Sequence, residues 1–140
     1  MTDLINKYFI DSNIWIYSVD ESEKTKKDAA RKTLNHLNMD STVVLSTQVV
    51  QEFYNGVIKK LKLDAIVAES LVYEMKKHEI VQVDFDLIIR GIDISINSKT
   101  AFWDGLIIAA AESAKCKAIV TEDLNDGQII CGMKIINPFN

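Results

Sequence analysis

Tyr8-Phe9-Ile10-Asp11-Ser12-Asn13-Ile14 is the stretch that decides the architecture. Tyr8-Phe9-Ile10 reads as a short apolar strand, and an acid follows it directly. Working outward, Val43-Val44-Leu45, Ile80 to Val83, Ala118-Ile119-Val120 and Lys134-Ile135-Ile136 read as four further strands. Helical composition fills the intervals. Ser22 to Asn38 carries Ala29, Ala30, Leu34 and Leu37 on one face. Gln48 to Leu61 carries Val49, Val50, Phe53, Tyr54, Val57 and Ile58 at helical spacing. Asp64 to Lys77 is a further helix with Asp64 as N-cap, and Asp86 to Ile96 another. Trp103 to Lys115 is apolar all round and is therefore a buried helix. Strands separated by helices mean βαβ units: an α/β fold with a mostly parallel sheet covered on both faces.

The composition agrees. One Pro and five Gly in 140 residues leave room for long helices and short connections. With 48% apolar residues, a chain of this length forms one domain, 1–140, and needs no disulfide or structural metal to fold. Sixteen Lys and Arg against twenty Asp and Glu give a net charge of −4. That excludes coating nucleic acid by bulk charge, but not binding it locally. The longest apolar run, Leu106 to Ala111, is far short of the ~18 residues of a membrane span. The opening Met1-Thr2-Asp3-Leu4-Ile5-Asn6-Lys7 has an early acid and no sustained apolar core, so it does not read as a secretory signal. Cys116 and Cys131 read as reduced thiols of a cytoplasmic protein.

The acids then point to a site. Ligands of open α/β sheets bind outside the carboxyl ends of the strands. Asp11 follows the first strand and Asp123 lies just past the fourth. Glu52 is in the first turns of the helix after the second strand. At about 100° per residue it lies roughly 60° outside the apolar arc, where core meets solvent. Asp104 opens the buried helix, which must run antiparallel to the fourth strand, so its start lies at the same edge. Each acid alone has a bland reading: a turn residue for Asp11, a solvated position for Glu52, a helix-dipole partner for Asp104, a loop acid for Asp123. Together they repel and raise one another's pKa, and a divalent cation is the usual agent that offsets this. Oxygen ligands without His or Cys favour Mg²⁺ or Mn²⁺ over zinc, and such a site suits phosphodiester hydrolysis.

Four motifs carry a resemblance. Phe9-Ile10-Asp11-Ser12-Asn13-Ile14 resembles the opening of PIN-domain nucleases. Gln51-Glu52-Phe53, Phe102-Trp103-Asp104-Gly105-Leu106-Ile107 and Thr121-Glu122-Asp123-Leu124 resemble their later motifs, in order and at suitable spacing. The closing Ile135-Ile136-Asn137-Pro138-Phe139 is similar to the ending of VapC-like bacterial toxins. The resemblance covers nearly the whole chain. It implies a three-layer α/β/α fold with a five-stranded parallel sheet. It implies a toxin–antitoxin endoribonuclease that cleaves single-stranded RNA with Mg²⁺ or Mn²⁺ held by Asp11, Glu52, Asp104 and Asp123. In it Asp11, Asp104 and Asp123 are the most direct ligands, Glu52 acts through water, and Asn13 and Thr121 support them. It further implies a homodimer, inhibited by an antitoxin whose tail occupies the active-site groove.

Other features are weighed against these. Lys24, Lys26, Lys27, Arg31 and Lys32 form one basic cluster, and Lys59, Lys60 and Lys62 another. Either is a solvated face or a phosphate contact, and Lys26, Lys27 and Arg31 are the candidate substrate-binding residues. Trp15 and Tyr17 read as core or dimer-interface aromatics, with Ile14 and Trp15 near the sheet edge for the dimer. Trp103 is expected to pack beneath the site. His36 and His78 are given no catalytic role, and Asp126 reads as a turn residue before Gly127 or as an extra acid. A haloacid-dehalogenase-like phosphatase would need Asp-x-Asp after the first strand, but position 13 is Asn. A catalytically silent binding module of the same fold is the remaining alternative; the presence of all four acids argues against it.

Overall fold

In the computed structural model, residues 6–140 are described; most of the Met1–Lys7 stretch read above for a secretory signal lies outside them. The chain runs β1 (Lys7–Ile10), α1 (Ser12–Tyr17), α2 (Lys24–Asp40), β2 (Thr42–Ser46), α3 (Thr47–Lys59) and α4 (Ala65–Glu74). A 3-10 turn (Met75–Lys77) leads to β3 (Glu79–Val81), α5 (Phe85–Ser98), α6 (Phe102–Ser113), β4 (Ala118–Val120), β5 (Ile129–Ile130) and β6 (Met133–Ile136). The sheet order is β3-β2-β1-β4-β6-β5. Five strands are parallel, as expected. The sixth, β5, adds an antiparallel edge paired with β6.

The chain leaves β1 for β2 and β3 on one side, then crosses back to β4 on the other. The strand order therefore reverses between β1 and β4, the point where such sheets form a ligand crevice. Right-handed crossovers put α1–α4 on one face and α5–α6 on the other. Accordingly α1 packs on α2 and α3, α3 on α4, and α5 on α6. Between the layers, Phe9, Ile10, Val44, Leu45 and Ile119 of the central strands are fully buried.

Capping explains the boundaries. Ser46 accepts from the Val49 N–H, Asp64 from that of Ile66 and Asp84 from that of Leu87, starting α3, α4 and α5. Two elements were not expected. α1 is only six residues long, and Asp11 is its N-cap. β5 is two residues joined to β6 by Cys131-Gly132, both at positive φ (50° and 79°), the turn geometry that suits a tight hairpin.

The buried α6 is held close to α5 by glycine. A Cβ on Gly105 would stand 2.5 Å from the Gly91 carbonyl oxygen and 3.0 Å from Ser95 Cβ. Backbone cannot yield as a flexible side chain does. Gly105→Ala is expected to destabilise the fold by about 1–3 kcal/mol, as overpacking does. The separation also displaces the first turn of α6, which carries Asp104. An unchanged denaturation midpoint would contradict the close crossing.

Ile14 is fully buried and Trp15 nearly so. The Trp15 indole N–H donates to the Ile10 carbonyl (3.1 Å), and its ring packs on His78 at 5.4 Å. Both residues are core, so the sheet-edge dimer contact assigned to them is corrected: α1 folds them inward. Both cysteines are free; burial pushes the Cys116 thiol up to about 12, and Cys131 is exposed. Among the described residues no helix is long and apolar enough to cross a membrane.

Candidate active site

Asp11 ends β1 and is 4% exposed. Its backbone N–H continues the ladder to the Val120 carbonyl (3.0 Å), which fixes it beside the end of β4. One carboxylate oxygen accepts the Ser12 N–H (2.7 Å), the other the Thr121 hydroxyl (2.7 Å). Burial nevertheless raises its pKa from 3.8 to about 7. The two hydrogen bonds oppose the rise, and the charges of Asp123 and Glu52 add to it.

Thr121 is fully buried, and its hydroxyl also accepts the Asp123 N–H (3.1 Å). One hydroxyl thus ties Asp11 to the loop that carries Asp123. Asn13 ties the same loop from α1: its Oδ1 accepts the Glu122 N–H at 3.4 Å. Both residues expected to support the acids stand between α1 and the segment after β4.

Glu52 comes from α3. Its carboxylate accepts the Ser12 hydroxyl (2.9 Å) and the Gln48 amide (3.2 Å). Asp104 lies in the first turn of α6, half-buried. Its pKa is raised by burial and by the charges of Asp123 and Glu52. Asp11, Glu52, Asp104 and Asp123 line one groove of about 300 Å³ together with Ser12, Gln48, Asn55, Lys60 and Trp103. The four expected acids therefore converge, and each of Asp11 and Asp104 feels both Glu52 and Asp123.

Among the described residues, no three acid, His or Cys side chains cluster tightly enough to hold an ion between them. Mg²⁺ does not demand this, because it binds through one or two carboxylates and keeps several waters. The groove offers such a hydrated ion oxygen donors only. Gln48 adds a test of fit. It is 5% exposed, and its amide nitrogen faces two acceptors, Glu52 and the Trp103 carbonyl (3.4 Å). That orientation is forced, since a flip would set oxygen against oxygen. It leaves Gln48 Oε1 buried without a donor at the groove wall. An acceptor oxygen left unpartnered at the groove wall fits the water shell of a hydrated cation.

The candidate cations are placed differently. Lys26 pairs with Glu122 and lies 4.6 Å over the Tyr17 ring and 5.3 Å over that of Phe139. The hydrogen bonds to Glu122 and Tyr17 hold its pKa above the ordinary lysine value. Lys27 pairs with Glu21 (2.6 Å), and Arg31 donates to the Ser18 carbonyl (2.7 Å). None of the three lines the groove; the cation that does is Lys60, from the other cluster. Trp103, expected beneath the site, is instead 61% exposed at its wall. Asp126 accepts the Asn137 N–H (2.8 Å) and is a turn residue outside the groove. Ser12, Gln48 and Asn55 were not singled out as site residues, and Lys60 was read only within its basic cluster, as a solvated face or a phosphate contact. Of the first three only Ser12 had a signal: a residue next to an acid that could cap a helix.

The family described as the PIN domain matches residues 8–125. The chain belongs to the PIN domain family. The matched span of the PIN domain contains all four groove acids. No curated protein matches by sequence. Solved structures share the PIN domain's fold with this chain. The toxin–antitoxin complex from Klebsiella pneumoniae is 18% identical, with TM-score 0.69, covering 94% of this chain and 97% of that one. VapBC2 from Rickettsia felis, bound to a fragment of promoter DNA, is 18% identical with TM-score 0.67, covering 92% and 96%. VapC20 from Mycobacterium tuberculosis, a toxin that cleaves the sarcin–ricin loop, is 17% identical with TM-score 0.59, covering 80% and 86%.

Proposed function

We propose that this PIN domain is a Mg²⁺- or Mn²⁺-dependent endoribonuclease of the toxin–antitoxin type that hydrolyses phosphodiester bonds of single-stranded RNA. The observation that carries this reading is the convergence of Asp11, Glu52, Asp104 and Asp123 on one groove at the switch point of the sheet. Of the acids expected as ligands, Asp11, Asp104 and Asp123 would hold a hydrated cation, one or two of them directly and the rest, with Glu52, through its waters. When bound, it supplies polarisation of the phosphoryl group and activation of water. The chain's own residues do the rest. Thr121 and the Ser12 N–H orient the Asp11 carboxylate. Gln48 and the Ser12 hydroxyl fix Glu52. Lys60 offers positive charge to the incoming backbone.

The test is cleavage of tRNA, rRNA and mRNA with and without metal. Cleavage is expected with Mg²⁺ or Mn²⁺, loss in EDTA, and poor recovery with zinc. Undiminished cleavage in excess chelator would sink the metal assignment, and retention of RNA without cleavage would support the silent binding module instead.

An antitoxin partner fits a second feature. α3 borders the acid groove through Glu52 and Asn55. It also borders an apolar groove of about 920 Å³ lined by Val50, Tyr54, Ile66, Val72 and Tyr73. A partner segment seated there could reach the acids with its tail. The structural relative from Klebsiella pneumoniae is by its description a toxin–antitoxin complex. Two free thiols suit the cytoplasm, where such a pair would act.

The homodimer needs a surface other than Ile14 and Trp15. α5 buries Leu87, Gly91 and Ile94 against its own fold, yet Phe85, Ile89, Ile92 and Ile96 are exposed at i, i+4, i+7 and i+11. That spacing is a second apolar stripe on a helix already buried on one face. Light scattering at micromolar concentration should give twice the chain mass of 15.8 kDa, and Ile89→Glu with Ile92→Glu should return it to one. A wild-type monomer at all concentrations would refute the dimer.

A further inference from the structure

We propose that Trp103 is a stacking platform for an unpaired nucleobase beside the cleaved bond, and that it restricts the substrate to unpaired RNA. This rests on the nuclease reading above. The indole is 61% exposed, on the wall of the groove that holds the four acids. Trp103 is the one aromatic among the groove's lining residues, and Lys60 is their one cation.

The ring is braced before any ligand arrives. Phe102 meets it edge-on, with ring centroids 4.9 Å apart and planes at 65°. Its backbone carbonyl is held by the Gln48 amide, which also holds Glu52. A platform fixed in this way loses little freedom when a base settles on it. Every base has a π-face, so stacking tolerates sequence, but a base in a duplex is already stacked on its neighbours. Because Trp103 immediately precedes Asp104, a base on the indole places its phosphate near the acids, with Lys60 available to an adjoining phosphate.

The groove favours a nucleotide over a protein partner. Apart from Ile16, Gly56 and Ile107, its other lining residues are four carboxylates, two amides, a hydroxyl and an ammonium group, whereas most of the exposed large apolar side chains, which suit protein contact, lie on α4 and α5.

The test uses the full chain in Mn²⁺ with a synthetic single-stranded RNA and a set of copies carrying one abasic ribose at each position in turn. In wild type, the abasic copy missing the base beside the cleaved bond should lose kcat/KM about 5- to 150-fold. Trp103→Ala should lose a similar factor on the intact RNA and nothing further on that abasic copy. Trp103→Phe should recover most of the loss. The Mn²⁺ activation constant and the melting temperature should not move, which a merely structural role would not allow. Independently of cleavage, single-stranded RNA should quench the exposed Trp103 fluorescence, while Trp15 stays shielded. If Trp103→Ala cleaves like wild type and every abasic copy is tolerated, the platform is overturned; an accompanying change in oligomeric mass would make Trp103 a protein contact. If wild type cuts nothing but RNA still quenches Trp103, the nuclease reading falls and the platform stands. If neither occurs, both fall.

Discussion

Asp11→Asn is expected to stabilise the metal-free fold at neutral and alkaline pH and, on the proposed function, to reduce cleavage at least about a hundredfold, since a catalytic cation contributes several kcal/mol to the transition state. The carboxyl titrates near 3.8 in the unfolded chain and about 7 in the fold, chiefly because it is buried. The folded protein therefore keeps a proton that the unfolded chain has released. The stability this group contributes is fully present below pH 4, declines as pH rises to about 7, and levels off above that. A shift of this size corresponds to roughly 4 kcal/mol at full effect. Asparagine has no charge to desolvate. Its oxygen can still accept the Ser12 N–H, and its amide can donate to Thr121 Oγ1. The variant should gain about 1–4 kcal/mol at pH 8 in EDTA and little at pH 4. Melting curves across that range decide it. Parallel curves for the two proteins would mean that Asp11 is ionised in the fold and carries no such penalty.

The same buried acid shows what the sequence can disclose. An acid directly after an apolar strand is visible in Phe9-Ile10-Asp11, and with it the sheet edge where the site forms. Glu52 was placed by two signals together: its position in the first turns of the helix after β2, and a helical phase at the rim of the apolar arc. Asp104 was legible because an all-apolar helix must be buried and its start must lie at the carboxyl edge. α1 was not, since six residues are too short for a periodic signal to stand out. β5 was hidden for a related reason: two residues cannot display alternation, and the strand exists because Cys131 and Gly132 turn it back onto β6.

Charge was the least legible property. Lys26, Lys27 and Arg31 look like a phosphate-binding face when only their own helix is read. The fold gives each an intramolecular acceptor: Glu122 from the segment after β4, and Glu21 and the Ser18 carbonyl from the connection between α1 and α2. Among the described residues Lys60 makes no ion pair; it stands at the end of α3, about one and two turns past Asn55 and Glu52, and lines the groove. Whether a lysine meets an acid of its own chain is a tertiary fact. Trp103 is the converse case: its place beside a buried helix suggested burial, but the first turn of α6 emerges from the core before Gly105 brings the helix against α5.

Thr121→Val should move the pH dependence of cleavage rather than simply lower it. Valine keeps the shape of a fully buried side chain and removes one oxygen. That oxygen serves two groups, donating to Asp11 and accepting from the Asp123 N–H. The Asp123 N–H belongs to an exposed loop residue and can turn to water. Asp11 is sealed in and cannot. The Thr121 hydroxyl is the largest influence opposing the rise of the Asp11 pKa, so its loss pushes that pKa further up. A carboxylate must be ionised to hold a cation, so the acid limb of the rate profile should move to higher pH. At neutral pH, metal affinity and cleavage should fall about 10- to 100-fold, the usual effect of removing a group that orients a ligand. The loss should shrink as pH rises and the Asp11 proton leaves. A hydroxyl that only packed would lower the rate equally at every pH, or not at all. Thr121→Ser restores the oxygen without the methyl group, so it should return the acid limb to its wild-type position even if the smaller side chain melts lower. A serine variant whose profile stays with that of valine would show that the methyl group, not the hydrogen bond, governs Asp11.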